Sequence, residues 1–381
     1  MDSEKMKICL IGTVVSSTLN FRKTFIELLV QAGHEVYVFA TDYSTKTTSA
    51  ITALGAQPIS YQLNRGGLNP FSDIRSTLIL KKKIKAIAPD IIFSYFSKPV
   101  IFGTLSAKLA KVPRIVGMLE GLGYAFTPEP PHKKEILKKK LVRKVQVFLY
   151  KISFRYLDRI IFLNPDDPVD LLERHKIKVK DVKILGGIGV DLEKFKPTPP
   201  SIETIRFLFI GRLLAEKGIF EFLKSAETLK KKHPDVEFIV LGAIDKENPS
   251  SLSQNDLDYY KQANIIIHPG HVHNVQEWIE KCSVFVLPSY REGIPCSTQE
   301  AMACGRAVIT TDVPGCRETV INGKNGYIIP HCDSDALTEK MLEFIKEKQK
   351  IQIYSNNSIE LSKIKFNAET QNRKLYNFIT L

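Results

Sequence analysis

The sequence predicts an α/β protein of two doubly wound domains, each a parallel sheet with helices on both faces. Three observations predict it. Short apolar runs alternate with longer amphipathic stretches along the 381 residues. The apolar runs are rich in Ile, Val and Phe and lack a polar face, as strands covered on both sides must be. The alternation breaks once, near residue 198, and then begins again.

In the first half the strand-like runs are KICLIGT (7–13), EVYVFAT (35–41), DIIFSYF (90–96), RIVGML (114–119), RIIFLN (159–164) and VKILGGI (182–188). Helix-like stretches separate them, such as FRKTFIELLVQAG (21–33), with Gly33 as a helix stop. At KPTPPS (196–201) three prolines in four residues sustain neither helix nor central strand, which marks an interdomain linker. The second series is RFLFIG (206–211), EFIVLG (237–242), NIIIHPG (264–270), VFVLPS (284–289), AVITTD (307–312) and NGYIIP (325–330). Domains are therefore expected at 1–198 and 199–360, followed by a terminal segment, 361–381, that ends in a helix. Two such domains on a short linker are expected to face each other across a cleft. Ligands of doubly wound sheets bind beyond the carboxyl ends of the strands, so function is sought in the loops that follow them.

Composition narrows the class. A hydrophobic fraction of 44% and a charged fraction of 25% are those of a globular protein. No stretch approaches the ~20 apolar residues that span a bilayer. The N-terminus MDSEKMKICLIG reads as a first strand and not as a secretion signal, so a cytoplasmic location is expected. Six cysteines, at 9, 282, 296, 304, 316 and 332, form no CxxC pair and no zinc spacing; they are expected as small thiols in a reducing compartment. The net charge of +13 calls for an anionic partner. Ten Lys/Arg against two acids lie between Lys133 and Arg159. That window, 132–159, mixes its cations with Ile136, Leu137, Leu141, Val145 and Phe148 at helical spacing. It reads as a helix lying on an anionic membrane surface, or as a solvated charged face. A single basic helix without a surrounding binding module argues against nucleic acid.

Two loops carry chemistry. After the run 206–210 comes GRLLAEKG (211–218), where Gly211 lets the backbone approach an anion and Arg212 and Lys217 can neutralise a diphosphate; a solvated basic turn fits equally. After the run 284–289 comes REGIPCSTQEAMACG (291–305), with Glu292 and Glu300 eight positions apart. Amides of Gly293, Ile294 and Ser297, around Pro295, would hold phosphate oxygens at a helix N-terminus, with the glutamates on sugar hydroxyls. Ser297 with Glu300 also fits a capping box. In the first half, no GxGxxG follows the first strand, so a dinucleotide cofactor is not expected. Gly12 would still admit a substrate diphosphate. Arg22 is a candidate acceptor-phosphate contact or a surface arginine.

Together GRLLAEKG and LPSYREGIPCSTQEAMACGRAVITTDVPGCRE resemble the donor domain of the retaining glycosyltransferase family 4, and EGIPCSTQE matches its EX7E motif. The resemblance spans essentially the whole chain and is strongest from about 206 to 330. It implies the GT-B fold, two Rossmann-like domains facing across a cleft. It implies that Arg212 and Lys217 contact the donor diphosphate, Glu292 the donor sugar and Glu300 the ribose. The nucleobase is placed near His268, Val272 and Asn274, and the C-terminal helix crosses back to the first domain. The first half resembles a subgroup that extends undecaprenyl-diphosphate-linked oligosaccharides, on NFR (Asn20, Phe21, Arg22), RGGLNP (65–70) and MLEGLGY (118–124). That subgroup implies a UDP-sugar donor, with an N-acetylhexosamine as the expected sugar, a lipid-linked saccharide acceptor held by Asn20, Arg22 and Gly121, and work at the inner face of the cytoplasmic membrane. Many family members carry a histidine where this chain has Glu120, which can bond a donor or acceptor hydroxyl or simply belong to the Gly121–Gly123 turn. Glu120, Glu292, Arg212 and Lys217 are the expected catalytic set, without metal or other cofactor. Rival readings are a nucleotide-sugar 2-epimerase on the same architecture and a non-catalytic, membrane-bound sugar-binding protein.

Overall fold

The computed structural model describes residues 4–63, 70–130, 135–248 and 250–381, with side chains undescribed at Pro70 and Phe71. Most of RGGLNP (65–70) and the first residues of the basic window therefore lie outside the described residues. The chain divides into two compact units: Met1–Ala125 with Ile136–Ile188 and Glu369–Leu381, and Phe126–Glu135 with Gly189–Ala368.

The first unit holds a seven-stranded sheet: β1 (Lys7–Ile11), β2 (Glu35–Ala40), β3 (Gln57–Ser60), β4 (Ile91–Tyr95), β5 (Arg114–Leu119), β6 (Arg159–Phe162) and β7 (Val182–Ile184). Its order is β3-β2-β1-β4-β5-β6-β7, with every pairing parallel. The second unit holds six strands: β8 (Arg206–Ile210), β9 (Glu237–Leu241), β10 (Ile267–Gly270), β11 (Val284–Leu287), β12 (Ala307–Thr311) and β13 (Gly326–Ile329). Their order is β10-β9-β8-β11-β12-β13, again all parallel. In each sheet the strand order reverses once, between β1 and β4 and between β8 and β11, and a doubly wound sheet opens its binding crevice at that switch point.

Central strands are buried on both faces: Ile8 through Ile11, Ile160 through Phe162 and Val284 through Val286 have no exposed surface. Burial of each such side chain contributes about 1.5–3 kcal/mol, and the unbroken apolar runs follow from it. Strand β3, QPIS, is absent from the sequence reading. It is a short edge strand that carries Pro58 and faces solvent at both ends, so it has no apolar run to read.

Three other expectations differ. The helix read over 21–33 is two helices, Val15–Phe21 and Lys23–Gln31, broken at Arg22, whose φ of −127° and ψ of 0° are not helical. The boundary between units falls at Ile188/Gly189, not at 198, because the proline segment is fastened to the second unit. Val190 donates to the Phe366 carbonyl at 2.7 Å and Thr198 to that of Cys304 at 3.2 Å. The fully buried Arg306 donates to the carbonyls of Thr198, Cys282 and Cys304. The helix Lys348–Lys365 packs on the helix Cys296–Ala303 and on β12 within the second unit, so the residues that belong to the first unit begin at Glu369 and not at 361.

The terminal helix, Ala368–Thr380, buries Leu375 and Ile379. Its last carbonyls are capped by strand-end arginines: Arg159 donates to Phe378 O at 2.5 Å and Arg114 to Thr380 O at 3.0 Å. Cations at a helix C-terminus oppose the negative end of its dipole. Cys9, Cys282, Cys304 and Cys316 are buried free thiols, whereas Cys296 and Cys332 are half-buried. Among the described residues no helix is long and apolar enough to cross a membrane.

Candidate active site

In the second unit the switch point is framed by the loops after β8 and β11. The chain leaves β8 through Gly211, buries Leu213 and Leu214, and makes a tight turn at Ala215–Lys217. Gly218, at φ +76°, then starts the helix Ile219–Lys230. That turn aims Lys217 at the loop after β11, where its ammonium lies 2.5 Å from Glu292 Oε1. Ser289, just past the end of β11, donates to the same oxygen at 2.7 Å. The Lys217 and Glu292 side chains are 23% and 11% exposed, so the pair is shielded from most solvent. Arg212 is mostly exposed and lies 3.4 Å from Asp245. Both expected cations therefore follow β8, but only Lys217 reaches the Glu292 loop.

The helix Cys296–Ala303 begins after its N-cap residue Pro295, which makes no side-chain cap bond. Ser297 is its second residue and cannot be the cap, so the capping-box reading of Ser297 with Glu300 is overturned. Helix N-termini carry amides without intrahelical partners and a partial positive charge. Gly293, Ile294 and Pro295 are buried in the approach to it, and Ser297 is half-buried. Glu300 is also half-buried, and no side chain among the described residues donates to its carboxylate. Desolvation raises its pKa to about 7, against the pull of Lys194. Gln299, which the sequence reading passed over, is fully buried; it donates to Ile294 O at 3.3 Å and accepts from Gly189 N at 3.1 Å. At the neighbouring strand end, the His268 ring lies 3.0 Å from Gly242 O, and Val272 is half-buried.

Two D-x-D triplets occur, Asp256-Leu257-Asp258 and Asp333-Ser334-Asp335. Asp256 bonds the cap Ser253 and Asp258 bonds Gln254, while Asp333 caps the helix Ser334–Lys346. Among the described residues no cluster of three His, Cys, Asp or Glu is placed to hold a metal.

In the first unit the loops after β1, β4 and β5 converge. Arg22 is 1% exposed and ion-paired with Glu120, which is 13% exposed. Its guanidinium also lies 5.4 Å from the centre of the Tyr95 ring. Tyr95, at the end of β4, shares a 2.8 Å hydrogen bond with Thr18, and burial pushes its phenol up to about 12. This corrects two expectations. Arg22 is neither a surface residue nor open to an acceptor phosphate, because its guanidinium is buried against Glu120 and Tyr95. Gly12 is not open to a diphosphate: a Cβ there would lie 2.4 Å from the Tyr95 hydroxyl. Its N–H goes to Phe39 O at 3.1 Å and its carbonyl accepts from the Tyr61 hydroxyl. Asn20 is exposed and Gly121, at φ +118°, is half-buried beside Glu120. Tyr95 and Thr18 were missed because a strand-end tyrosine and a helical threonine look like core residues.

Gly315 was also missed as a site residue. The Glu292 N–H donates to Pro314 O at 3.0 Å, so the two loops run side by side. Gly315 has φ +83°, and a Cβ there would stand 2.3 Å from Glu292 O and 2.4 Å from Gly293 O. Gly33 has a similar φ of +87° with nothing within 4 Å. Gly33→Ala is expected to cost about 1 kcal/mol in chemical denaturation, the conformational part alone. Gly315→Ala is expected to cost at least about 2 kcal/mol, because backbone must also move. Equal costs at the two positions would contradict this packing.

Comparison with known proteins identifies the family. Residues 191–361 match the family "Glycosyl transferases group 1" and residues 7–164 match "Glycosyl transferase 4-like". The N,N'-diacetylbacillosaminyl-diphospho-undecaprenol α-1,3-N-acetylgalactosaminyltransferase of Campylobacter jejuni is 31% identical over 361 residues, 91% of each chain. The Escherichia coli UDP-Gal:α-D-GlcNAc-diphosphoundecaprenol α-1,3-galactosyltransferase is 25% identical over 72% of this chain and 71% of its own. Among solved structures, sucrose-phosphate synthase of Thermosynechococcus elongatus superposes with a TM-score of 0.78 at 17% identity, covering 98% of each chain. Anabaena HepE with UDP and glucose gives 0.75 at 15% identity, also over 98% of each. These structural likenesses speak to the fold alone. With two parallel Rossmann-like sheets and a relative matched along nearly its whole length, the chain belongs to the group 1 glycosyltransferases of GT-B fold.

Proposed function

We propose that this glycosyltransferase moves an N-acetylhexosamine from a UDP-sugar to a polyprenyl-diphosphate-linked saccharide, with retention at the anomeric carbon. The observation that carries the donor half is the Lys217–Glu292–Ser289 cluster beside the N-terminus of the helix Cys296–Ala303 at the β8/β11 switch point. In this reading Lys217, Arg212 and the amides near Ser297 stabilise the negative charge that develops on the departing diphosphate. Glu292 takes donor-sugar hydroxyls and Glu300 the ribose, with the base near His268 and Val272. Two cations and a helix terminus suffice for a diphosphate leaving group, so no metal is assigned. No carboxylate is assigned as nucleophile in this reading, in which the acceptor attacks on the face the leaving group departs from, through an oxocarbenium-like state, with retention.

The acceptor half is supported by the names of the two relatives above, both of which act on undecaprenyl-diphosphate-linked sugars. It is also supported by the helix Leu137–Phe154. Val147, Tyr150 and Phe154 are buried, while Leu137, Leu141 and Phe148 are exposed beside Lys140, Lys144 and Lys151. An apolar stripe flanked by cations suits the headgroup layer of an anionic membrane. Ile136 is exposed with that stripe and Val145 is half-buried. The proposed location is the inner face of the cytoplasmic membrane.

The direct test is release of nucleoside diphosphate from a panel of UDP- and GDP-sugars, with and without a diphospholipid-linked saccharide, in detergent with chelator. One UDP-sugar should give acceptor-dependent release, and Glu292→Ala should lower turnover by about 100-fold or more. An epimerase would instead convert its donor without any acceptor, and a sugar-binding protein would be indifferent to Glu292→Ala. Release that needs added metal would contradict the leaving-group assignment.

Glu300 gives a pH signature. Its carboxyl holds a proton up to about pH 7 in the free protein. Two ribose hydroxyls donate best to the ionised form. Donor affinity should therefore be constant above pH 7 and fall by up to about tenfold per pH unit below it. Glu300→Gln should flatten that dependence. A UDP-sugar, whose diphosphate diester stays ionised throughout, is the probe for calorimetry. Affinity that rises on acidification would rule out this role.

A further inference from the structure

We infer that Tyr290 is a positioning residue for the donor site: its buried phenol holds the loop after β11 against the turn after β8, and so sets Lys217 for the donor diphosphate. The inference rests on the donor reading above. Tyr290 is 4% exposed and stands two residues ahead of Glu292. Its phenol donates to Glu221 Oε1 at 2.7 Å, in the first turn of the helix Ile219–Lys230. Lys217 precedes that helix and Glu292 follows Tyr290. One hydrogen bond therefore ties together the two segments that form the ion pair.

The segments touch at three points around Lys217. On one side of it, Glu216 O accepts from the Tyr290 N–H at 2.9 Å. On the other, Gly218 runs so close that a Cβ there would stand 2.2 Å from Pro288 O. Two contacts let chain segments pivot about the line between them. The Tyr290–Glu221 bond, about one helical turn further on, stops the pivot. That matters for Lys217, whose ammonium rides on a flexible four-carbon stem and is placed only as well as the backbone beneath it. A small misplacement of a charged group that binds a ligand loses much of its effect.

The anchor is durable. Burial, with the Glu221 carboxyl beside it, holds the Tyr290 phenol well above the usual range of phenol ionisation, so it stays a donor. Glu221 Oε2 is buried with no hydrogen-bond partner among the described residues. Removal of the phenol would leave the other oxygen stranded as well, which costs more than the bond itself. The Tyr290 ring also lies 6.0 Å from the ring of His331, in the loop that follows β13, so the anchor is packed from a second side.

The test is UDP affinity by calorimetry, with denaturation of the same variants as a second reading. Tyr290→Phe, which keeps the ring and removes the donor, should weaken UDP by about 3- to 10-fold. Glu221→Leu should do the same, whereas Glu221→Gln, whose amide oxygen still accepts, should stay within about twofold of wild type. Lys217→Met should weaken UDP by at least about 10-fold. On that background Tyr290→Phe should change affinity by less than about twofold, since no ammonium remains to be placed. Tyr327→Phe is the structural control: Tyr327 is 7% exposed and its phenol bonds Glu343. This variant should lose stability, as Tyr290→Phe does, and keep wild-type affinity.

Unchanged UDP affinity in Tyr290→Phe would overturn the inference. So would a Tyr290→Phe loss that adds in full to that of Lys217→Met, or an equal loss in Tyr327→Phe. If Tyr290→Phe does not fold, Glu221→Leu and Glu221→Gln decide by the same criteria. Wild type that does not bind UDP, or Lys217→Met that binds it as well as wild type, would sink the donor reading and this inference with it. A loss in Lys217→Met without one in Tyr290→Phe would sink this inference alone.

Discussion

The constraint on which everything else depends is that both sheets are parallel and buried on both faces. Each interior strand satisfies its backbone only through its neighbours, and its side chains are enclosed by helices on either side. Nothing polar enough for sugar or phosphate chemistry fits along such strands. Charged groups are pushed into the loops at the strand ends, and the reversal of strand order at β1/β4 and β8/β11 leaves room for them. Arg22, Tyr95 and Glu120 occupy the one set of loops, and Lys217, Ser289 and Glu292 the other.

At both places a cation and a carboxylate lie largely out of solvent. Such pairs are weak contributors to stability, because desolvation offsets much of the attraction, whereas removal of one partner leaves the other charge stranded. Their retention is easier to understand through ligand chemistry. A site meant for a diphosphate and sugar hydroxyls needs charges held in place before the ligand arrives, since reorientation at the moment of reaction raises the barrier. The glycines share this logic. Gly315 and Gly218 let neighbouring backbone run too close for any Cβ, and so fix the loops that carry Glu292 and Lys217.

Much of this was legible in the sequence because strands buried on both faces write continuous apolar runs. The twelve runs read from it all contain strands, and their order implied two doubly wound sheets. The edge strand β3 wrote no such run. The helix break at Arg22 was hidden because FRKTFIELLVQAG has helical periodicity across it, and nothing local says that Arg22 turns inward to a partner 98 residues away. The cations and glutamates of the second unit were readable because they sit on short motifs next to strand ends. The interpretation of Gly12 failed for the converse reason: a glycine after a strand signals close approach, but the approaching group is the Tyr95 side chain, which sequence spacing does not reveal. The early boundary at Gly189 was equally invisible, because the prolines mark where regular structure stops, not which unit the segment is fastened to.

The central claim is that the second sheet's switch point is the donor site, and its most direct measurement is a crystal structure of the protein grown with UDP. The account predicts the diphosphate within hydrogen-bond reach of Lys217, Arg212 and the backbone amides leading into the helix Cys296–Ala303, with the ribose at Glu300. UDP bound elsewhere, with the Lys217–Glu292 pair untouched and the helix N-terminus empty of phosphate, would contradict it.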